Sequence, residues 1–311
     1  MNATAATEKP ARKYAYYPGC SLGSSASEYD HSTRAVFAAL GVELEEIADW
    51  NCCGASSAHA LNHTLATALP LRNLALAEAM ELDIAVPCAA CFSRLKTAEH
   101  RFREEPDLKN ALREIVGEPY EGKVTARHSL DILFNDVGLD AVREKVTRPL
   151  TGLRTVCYYG CLLVRPPKVT GATDPDNPVS MDLLMKALGA ESLDWHMKTD
   201  CCGAGLSLTR ADIVSELVAK IAAAARLVQA QAIVTACPMC HANLDMRQPG
   251  ALTSPSDALP VYFYTELMAA AMGIEGTAAW LAKHIVPAAA PLEEIGALPR
   301  RPRARRAGGA A

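Results

Sequence analysis

The sequence predicts an α/β fold built from two pseudo-symmetric copies of one parallel-sheet unit, with metal sites at the carboxyl ends of the strands. Three observations carry this. Cys52-Cys53-Gly54 recurs as Cys201-Cys202-Gly203, and each is followed by a Cys-x-x-Cys, Cys88 and Cys91 in the first half and Cys237 and Cys240 in the second. The gap holds 34 residues in both halves, 54 to 87 and 203 to 236, so 52–91 maps onto 201–240 at a constant offset of 149. A lone cysteine precedes each pair, Cys20 and Cys161. Finally, short apolar runs alternate with helically spaced segments, and each cysteine group follows such a run. Strand, helix and strand in alternation imply a parallel sheet with helical crossovers. Open parallel sheets build their sites at the carboxyl ends of the strands.

Taken in order, residues 1–12 read as a disordered leader. Lys13 to Tyr17 is a strand ending at Pro18-Gly19-Cys20. Tyr29 to Leu40 has helical spacing and stops at Gly41. Val42 to Ile47 returns as a strand, and Cys52-Cys53-Gly54 lies in the loop after it. An Ala/Leu-rich helix spans roughly Leu65 to Leu82, with Pro70 expected to break or start it. Ile84 to Val86 is a strand delivering Cys88 and Cys91, and a helix begins near Cys91 to Lys96. A linker near Arg143 to Gly152 joins the copies, which we place at 13–149 and 150–286.

The second copy repeats the order. Thr155 to Gly160 is the strand before Cys161, and Pro166 to Pro178 is a loop. Met181 to Leu188 is a helix stopped by Gly189, Ala211 to Ala230 a long helix, and Ile233-Val234 the strand before Cys237. Val124 and Leu130 are matched to Val261 and Leu267. A repeat of this length means two structural copies, each Rossmann-like, rather than a solenoid. Residues 287–311, rich in Ala and Pro and ending in several arginines, read as a disordered tail.

Composition narrows the function. Half of the 311 residues are hydrophobic, enough for a large core, and a net charge of -4 gives no support to nucleic-acid binding. No run of 18 apolar residues is present, so no membrane-spanning helix is expected. Eleven cysteines with no signal-like apolar stretch in the first residues argue for thiols in a reducing compartment, and we expect a cytoplasmic protein. There is no Gly-x-Gly-x-x-Gly fingerprint, so neither flavin nor a nicotinamide cofactor is expected on this chain.

Clustered thiolates favour zinc or iron–sulfur clusters over magnesium or calcium. Five thiols per copy exceed the four that one zinc or one cubane cluster takes. Spacing alone leaves both open. Gly54, Gly203 and Gly205 are expected to let the backbone approach the site, with their amides bonding to sulfur. His241, directly after Cys240, is a candidate hydrogen-bond donor to the site. Cys157 lies outside the doubled frame and reads as a buried apolar thiol. His59 and His196 read as structural. Arg165 reads as a solvated side chain, with an anionic substrate as the sharper alternative.

The doubled pattern Cys…Cys-Cys-Gly…Cys-x-x-Cys resembles the cysteine-rich domain found in the B subunit of heterodisulfide reductase. Tyr159-Gly160-Cys161-Leu162-Leu163-Val164-Arg165-Pro166, Asp200-Cys201-Cys202-Gly203-Ala204-Gly205 and Cys237-Pro238-Met239-Cys240-His241 carry the likeness most strongly, over about residues 13–286. Departures are Leu162, where a polar residue is usual, and a blander Pro87-Cys88-Ala89-Ala90-Cys91. The resemblance implies two [4Fe–4S] clusters of non-cubane type. Cys20, Cys52, Cys53, Cys88 and Cys91 would hold one; Cys161, Cys201, Cys202, Cys237 and Cys240 would hold the other and carry the chemistry through it. It further implies that a disulfide is made or cleaved in one-electron steps. The substrate would be a disulfide or thiol, free or protein-bound. Partners would be a ferredoxin-like iron–sulfur subunit and a flavin-containing subunit of one complex, with cytoplasmic sulfur oxidation as the preferred setting. Two other readings stay open: an electron-transfer-only iron–sulfur subunit of a respiratory or hydroxy-acid oxidase complex, and a zinc-stabilised interaction protein.

Overall fold

The computed structural model describes residues 12–299 except 56, 57, 118 and 253. Eight strands form two four-stranded, wholly parallel sheets. The first contains β1 (Arg12–Tyr16), β2 (Val42–Glu46), β3 (Ile84–Val86) and β4 (Ala126–His128), in the order β2-β1-β3-β4. The second contains β5 (Arg154–Tyr158), β6 (Glu191–Ser192), β7 (Ala232–Thr235) and β8 (Val261–Phe263), in the equivalent order β6-β5-β7-β8. Both sheets reverse their winding between the first and third strands, which opens a crevice at the carboxyl edge. The inner strands β3 and β7 are buried at every position, as a sheet covered on both faces requires.

The pairing also sets the correspondence between halves. Ile84 lies beside Ala126 and Ile233 beside Val261, so Ala126 is the counterpart of Val261. The match of Val124 with Val261 expected from sequence is therefore displaced by two residues. Register past the cysteines is decided by strand pairing, which apolar matching does not see.

Most elements lie where the sequence places them. The helix Ser27–Ala39 ends before Gly41, which has φ +72°, and Ser180–Ala187 ends before Gly189 at φ +89°. Three expectations are corrected. Pro70 neither breaks nor starts its helix, which runs from His63 to Ala79. The ring removes one donor, but Ala68, Leu71, Leu74 and Ala75 of that helix are buried, and packing offsets the lost bond. Arg143 and Lys145 belong to the helix Leu139–Lys145, so the linker starts later; Thr147 and Arg148 then donate their amides to Ala271 O.

The third correction concerns the tail. Residues 287–299 are built into the core: Ala289–Glu294 is a helix, Leu292 and Ala297 have no exposed surface, and Tyr262 donates its phenol to Ala288 O. A low-complexity Ala/Pro composition hid apolar side chains spaced to meet one surface. Residues 300–311 lie outside the described residues, as do 1–11 of the expected leader; Arg12 is already in β1.

The halves join across a buried seam at the strand ends. The Tyr29 ring stacks on Phe263 at 3.9 Å, Ser32 Oγ lies 2.7 Å from Thr265 Oγ1, and Ser129 Oγ lies 2.7 Å from the Tyr264 hydroxyl. All six side chains are fully buried, so the seam is core rather than a docking contact.

Candidate metal centre

Each five-cysteine group gathers three loops that leave adjacent strands at one edge. Cys20 follows β1, Cys52 and Cys53 follow β2, and Cys88 and Cys91 follow β3. Cys161 follows β5, Cys201 and Cys202 follow β6, and Cys237 and Cys240 follow β7. The structure brings cysteines of each half close to one another. Cys52 and Cys20 sulfurs lie 3.8 Å apart, Cys53 and Cys91 3.3 Å, and Cys202 and Cys240 3.5 Å. Cys161 and Cys201 lie close enough to shift each other's ionisation.

Local sequence explains each placement. Cys88 and Cys237 sit at the N-caps of the helices Ala89–Glu104 and Pro238–Ala251, so Cys91 and Cys240 lie in first turns. Cys88 Sγ accepts from the Cys91 amide at 3.4 Å. A helix N-terminus directs free N–H groups and positive potential at these thiols. Gly54 and Gly203, at φ +74° and +77°, turn their amides onto Cys52 Sγ and Cys201 Sγ at 3.4 and 3.3 Å. Below the loops, Tyr17 donates its phenol to Asn51 O at 2.9 Å and Tyr158 donates to Asp200 O at 2.5 Å.

Gly205 differs. It has no positive φ, and a Cβ there would meet nothing within 4 Å. The close approach lies at Gly19 and Gly160, which sequence reasoning passed over. Their φ values are +70° and +68°, and an added Cβ would lie 3.0 Å from Cys91 Sγ and 3.1 Å from Cys240 Sγ. The signal was present as Tyr17-x-Gly19-Cys20 and Tyr158-x-Gly160-Cys161. Gly160→Ala is expected to alter the spectrum of metal bound by the second set, because left-handed backbone costs alanine about 1–2 kcal/mol and its methyl presses on a ligand sulfur. Gly205→Ala is expected to leave that spectrum unchanged; optical and EPR spectra of the two variants check this.

His241 also departs from expectation. Its Nε2 lies 3.0 Å from Val261 O and its ring stacks on Phe263 at 4.2 Å, so its hydrogen bond serves the strand end and not sulfur. Cys157 is wholly buried in β5, with Sγ 3.6 Å from Ser192 Oγ, and takes the register position of Tyr16. Arg165 donates to Thr199 O at 3.2 Å and pairs with the exposed Asp176 while remaining solvated itself. His59 and His196 are exposed.

One residue organises the region between the two groups. His128, wholly buried at the end of β4, has Nε2 2.8 Å from Pro87 O and 3.2 Å from Ala236 O. These are the residues immediately before Cys88 and Cys237. Its Nδ1 accepts from the Leu130 amide, so Nε2 carries the proton and donates to both carbonyls. Burial pulls its pKa down to about 4, which keeps the ring neutral. Beyond this clamp Cys88 and Cys237, one from each set, lie close enough to shift each other's ionisation, Cys237 downward and Cys88 upward.

The electrostatics call for a cation. Donation from Cys52 and Cys91 brings Cys53 down to about 3, while Cys52 rises. Donation from Cys161 brings Cys201 down to about 6, while Cys161 rises. Cys237 is lowered by Cys240 and Cys88, and both of those are raised. Crowded thiols thus hold one thiolate per contact and keep their neighbours protonated. Only bound metal lets five ionise together. The donor set fits an iron–sulfur cluster or zinc. Cys20, Cys52 and Cys201 are exposed and Cys161 half-buried, whereas the other six ligand candidates are buried. Each set therefore has an open outer edge and a closed inner edge.

Comparison with known proteins agrees with this architecture. The family described as "Cysteine-rich domain" matches residues 14–96 and 155–245. The chain is 30% identical over 280 residues to an "8-methylmenaquinol:fumarate reductase membrane anchor subunit" of Wolinella succinogenes, covering 89% of this chain and 98% of that one. It is 30% identical over 276 residues to a protein of Archaeoglobus profundus described as like the B subunit of heterodisulfide reductase, covering 85% and 91%. The B subunit of a ferredoxin:CoB-CoM heterodisulfide reductase of Methanosarcina mazei is 28% identical over 269 residues, covering 84% and 89%. In structure, a hypothetical protein from Helicobacter pylori superposes with a TM-score of 0.68 at 11% identity; the match covers 89% of this chain and 52% of that one. Among the described residues no helix is long and apolar enough to cross a membrane. With two cysteine-rich repeats on two like sheets, the chain belongs to the CCG cysteine-rich domain family, in its two-copy form like the B subunit of heterodisulfide reductase.

Proposed function

We propose that this chain is an iron–sulfur subunit of a heterodisulfide reductase-like complex and acts on a disulfide or its two thiols. The observation that carries the reading is the pairing of two five-thiol groups whose inner loops are joined by His128, with Nε2 2.8 Å from Pro87 O before Cys88 and 3.2 Å from Ala236 O before Cys237. When bound, two [4Fe–4S] clusters supply one-electron chemistry to a disulfide, and five thiols per set favour a non-cubane type over a cubane held by four. Cys20, Cys52, Cys53, Cys88 and Cys91 hold one cluster, and Cys161, Cys201, Cys202, Cys237 and Cys240 the other.

The chain's own groups do three further things. The Gly54 and Gly203 amides and the two helix N-termini stabilise thiolate charge. The buried inner thiols exclude water where the sets meet. A cavity of about 700 Å³ between the halves is lined by Phe92, next in sequence to Cys91, and by His128, Tyr159 and Leu163, and is the space we propose for a small substrate. Electrons come from partner subunits, ferredoxin-like and flavin-containing, at the exposed outer edges. Cytoplasmic sulfur oxidation is the setting we favour.

One comparison supports a second reading. The Wolinella relative, matched over nearly its full length, is named as a subunit of a menaquinol:fumarate reductase, which points to electron transfer without a sulfur substrate. Iron and sulfide analysis with EPR on anaerobically purified protein separates the readings. About eight irons per chain are expected, with signals that change when a disulfide is added to the reduced protein. The same iron with signals indifferent to every disulfide and thiol offered assigns the chain to electron transfer alone. Zinc on the cysteine sulfurs in place of iron makes it an interaction protein.

A further inference from the structure

A second group of metal-ligating side chains lies behind the second cysteine set. His241 comes from the first turn of the helix Pro238–Ala251, Glu266 from the first turn of Tyr264–Met272, and His284 from the segment after Thr277–Leu281. All three are buried, and a ring nitrogen of each histidine and a carboxylate oxygen of Glu266 lie within 4.8 Å of one another. We propose that His241, Glu266 and His284 form a closed site for one zinc ion, with Glu28 as the fourth donor.

The polar groups here are incompletely matched without a cation. His284 Nε2 lies 3.0 Å from Glu266 Oε1, while its Nδ1 is buried with no hydrogen-bond partner. Glu28, reaching in from the first half, has Oε2 buried with no hydrogen-bond partner among the described residues, and Lys283 lies 3.8 Å away. Two carboxylates buried near one another are costly, and a divalent ion neutralises both. Val261 O accepts from His241 Nε2, which leaves the other ring nitrogen its lone pair, and histidine ligands commonly donate their second N–H to a backbone carbonyl. The His284 segment is held in place because Asp245 accepts from the Ile285 and Val286 amides at 2.7 and 2.9 Å.

Two imidazoles select a transition ion over magnesium or calcium, and full burial leaves no position for a substrate, which favours a structural zinc. Ligand atoms around tetrahedral zinc, bonded at about 2.0–2.1 Å, lie about 3.4 Å apart, so the three atoms within 4.8 Å draw together and the Glu28 carboxylate, outside that group, swings in to complete the site. The first half has no equivalent group, since Phe92 occupies the position of His241 there. Its role would be to tie the Cys240 helix to the seam and to the C-terminal segment.

The test uses whole protein with its cysteine sites loaded first, then offered one equivalent of zinc. About one tightly held zinc per chain is expected, with a zinc K-edge spectrum of nitrogen and oxygen neighbours at about 2.0–2.1 Å and no sulfur at about 2.3 Å. His284→Gln and Glu266→Gln are each expected to lose the zinc while iron and sulfide stay unchanged. No retained zinc in the wild type, sulfur neighbours, or zinc kept by both variants would overturn the site. Should the variants fold poorly, the wild-type spectrum decides alone. Because the readout is zinc on nitrogen and oxygen, this inference stands or falls separately from the cluster reading.

Discussion

Cys237→Ala protein, purified anaerobically, is expected to hold about four irons per chain where the wild type holds about eight, with the loss confined to the second set. Cys237, like Cys88, is tightly constrained. It is buried at a helix N-cap, its pKa is lowered by Cys240 and Cys88, and the carbonyl before it is tied to the first half through His128. Alanine removes a ligand where no water can enter to replace it, whereas loss of exposed Cys20 leaves a position that solvent can fill. The disulfide-dependent EPR change should therefore vanish in Cys237→Ala and weaken in Cys20→Ala. Cys157→Ala is the control: its thiol faces Ser192 in the interior of the second sheet, and iron content should not move. Unchanged iron in Cys237→Ala would remove it from the ligand set.

His128→Ala is expected to destabilise the protein by about 2–4 kcal/mol near neutral pH and to change the magnetic interaction between the two metal sites. The ring donates to the carbonyls before Cys88 and Cys237, so its loss leaves the Ala236 carbonyl short of a buried donor and opens a cavity at the seam. Pro87 O keeps the Tyr29 hydroxyl at 2.9 Å, so the second half should shift more than the first. A pH dependence separates this from simple packing loss. The folded pKa of about 4 lies below the unfolded value of 6.5, so below pH 6.5 the unfolded chain binds a proton that the folded one refuses. Stability contributed by neutral His128 is present above pH 6.5 and is lost as pH falls toward 4, by about 3 kcal/mol in all. The gap in thermal midpoint between wild type and variant should narrow over that window. A gap independent of pH would show that the histidine acts by shape alone.

How far the sequence reaches can be judged residue by residue. The gathering of the cysteines was legible because they repeat at a constant offset and because strand-to-loop order in a parallel sheet sends every such loop to one edge. Gly54 and Gly203 were legible for the same reason. Gly205 was misassigned because a glycine beside ligands need not be the one that approaches sulfur; that depends on which loop faces which helix turn. His241 was placed at the cysteines by adjacency, but on a helix the next residue points about 100° away, here onto Val261 and Phe263.

What residue order could not reach is everything made between the halves. His128 shares no pattern with the cysteines and sits 41 and 108 positions from the two carbonyls it joins. The approach of Cys88 to Cys237, the stack of Tyr29 on Phe263, and the gathering of Glu28, His241, Glu266 and His284 depend equally on how two sheets dock. Short-range periodicity and repeated spacing specify what each half is, because they act through backbone geometry within one unit. The docking of the halves is specified by the shape and polar pairing of side chains distant in sequence, and only the folded chain brings those together.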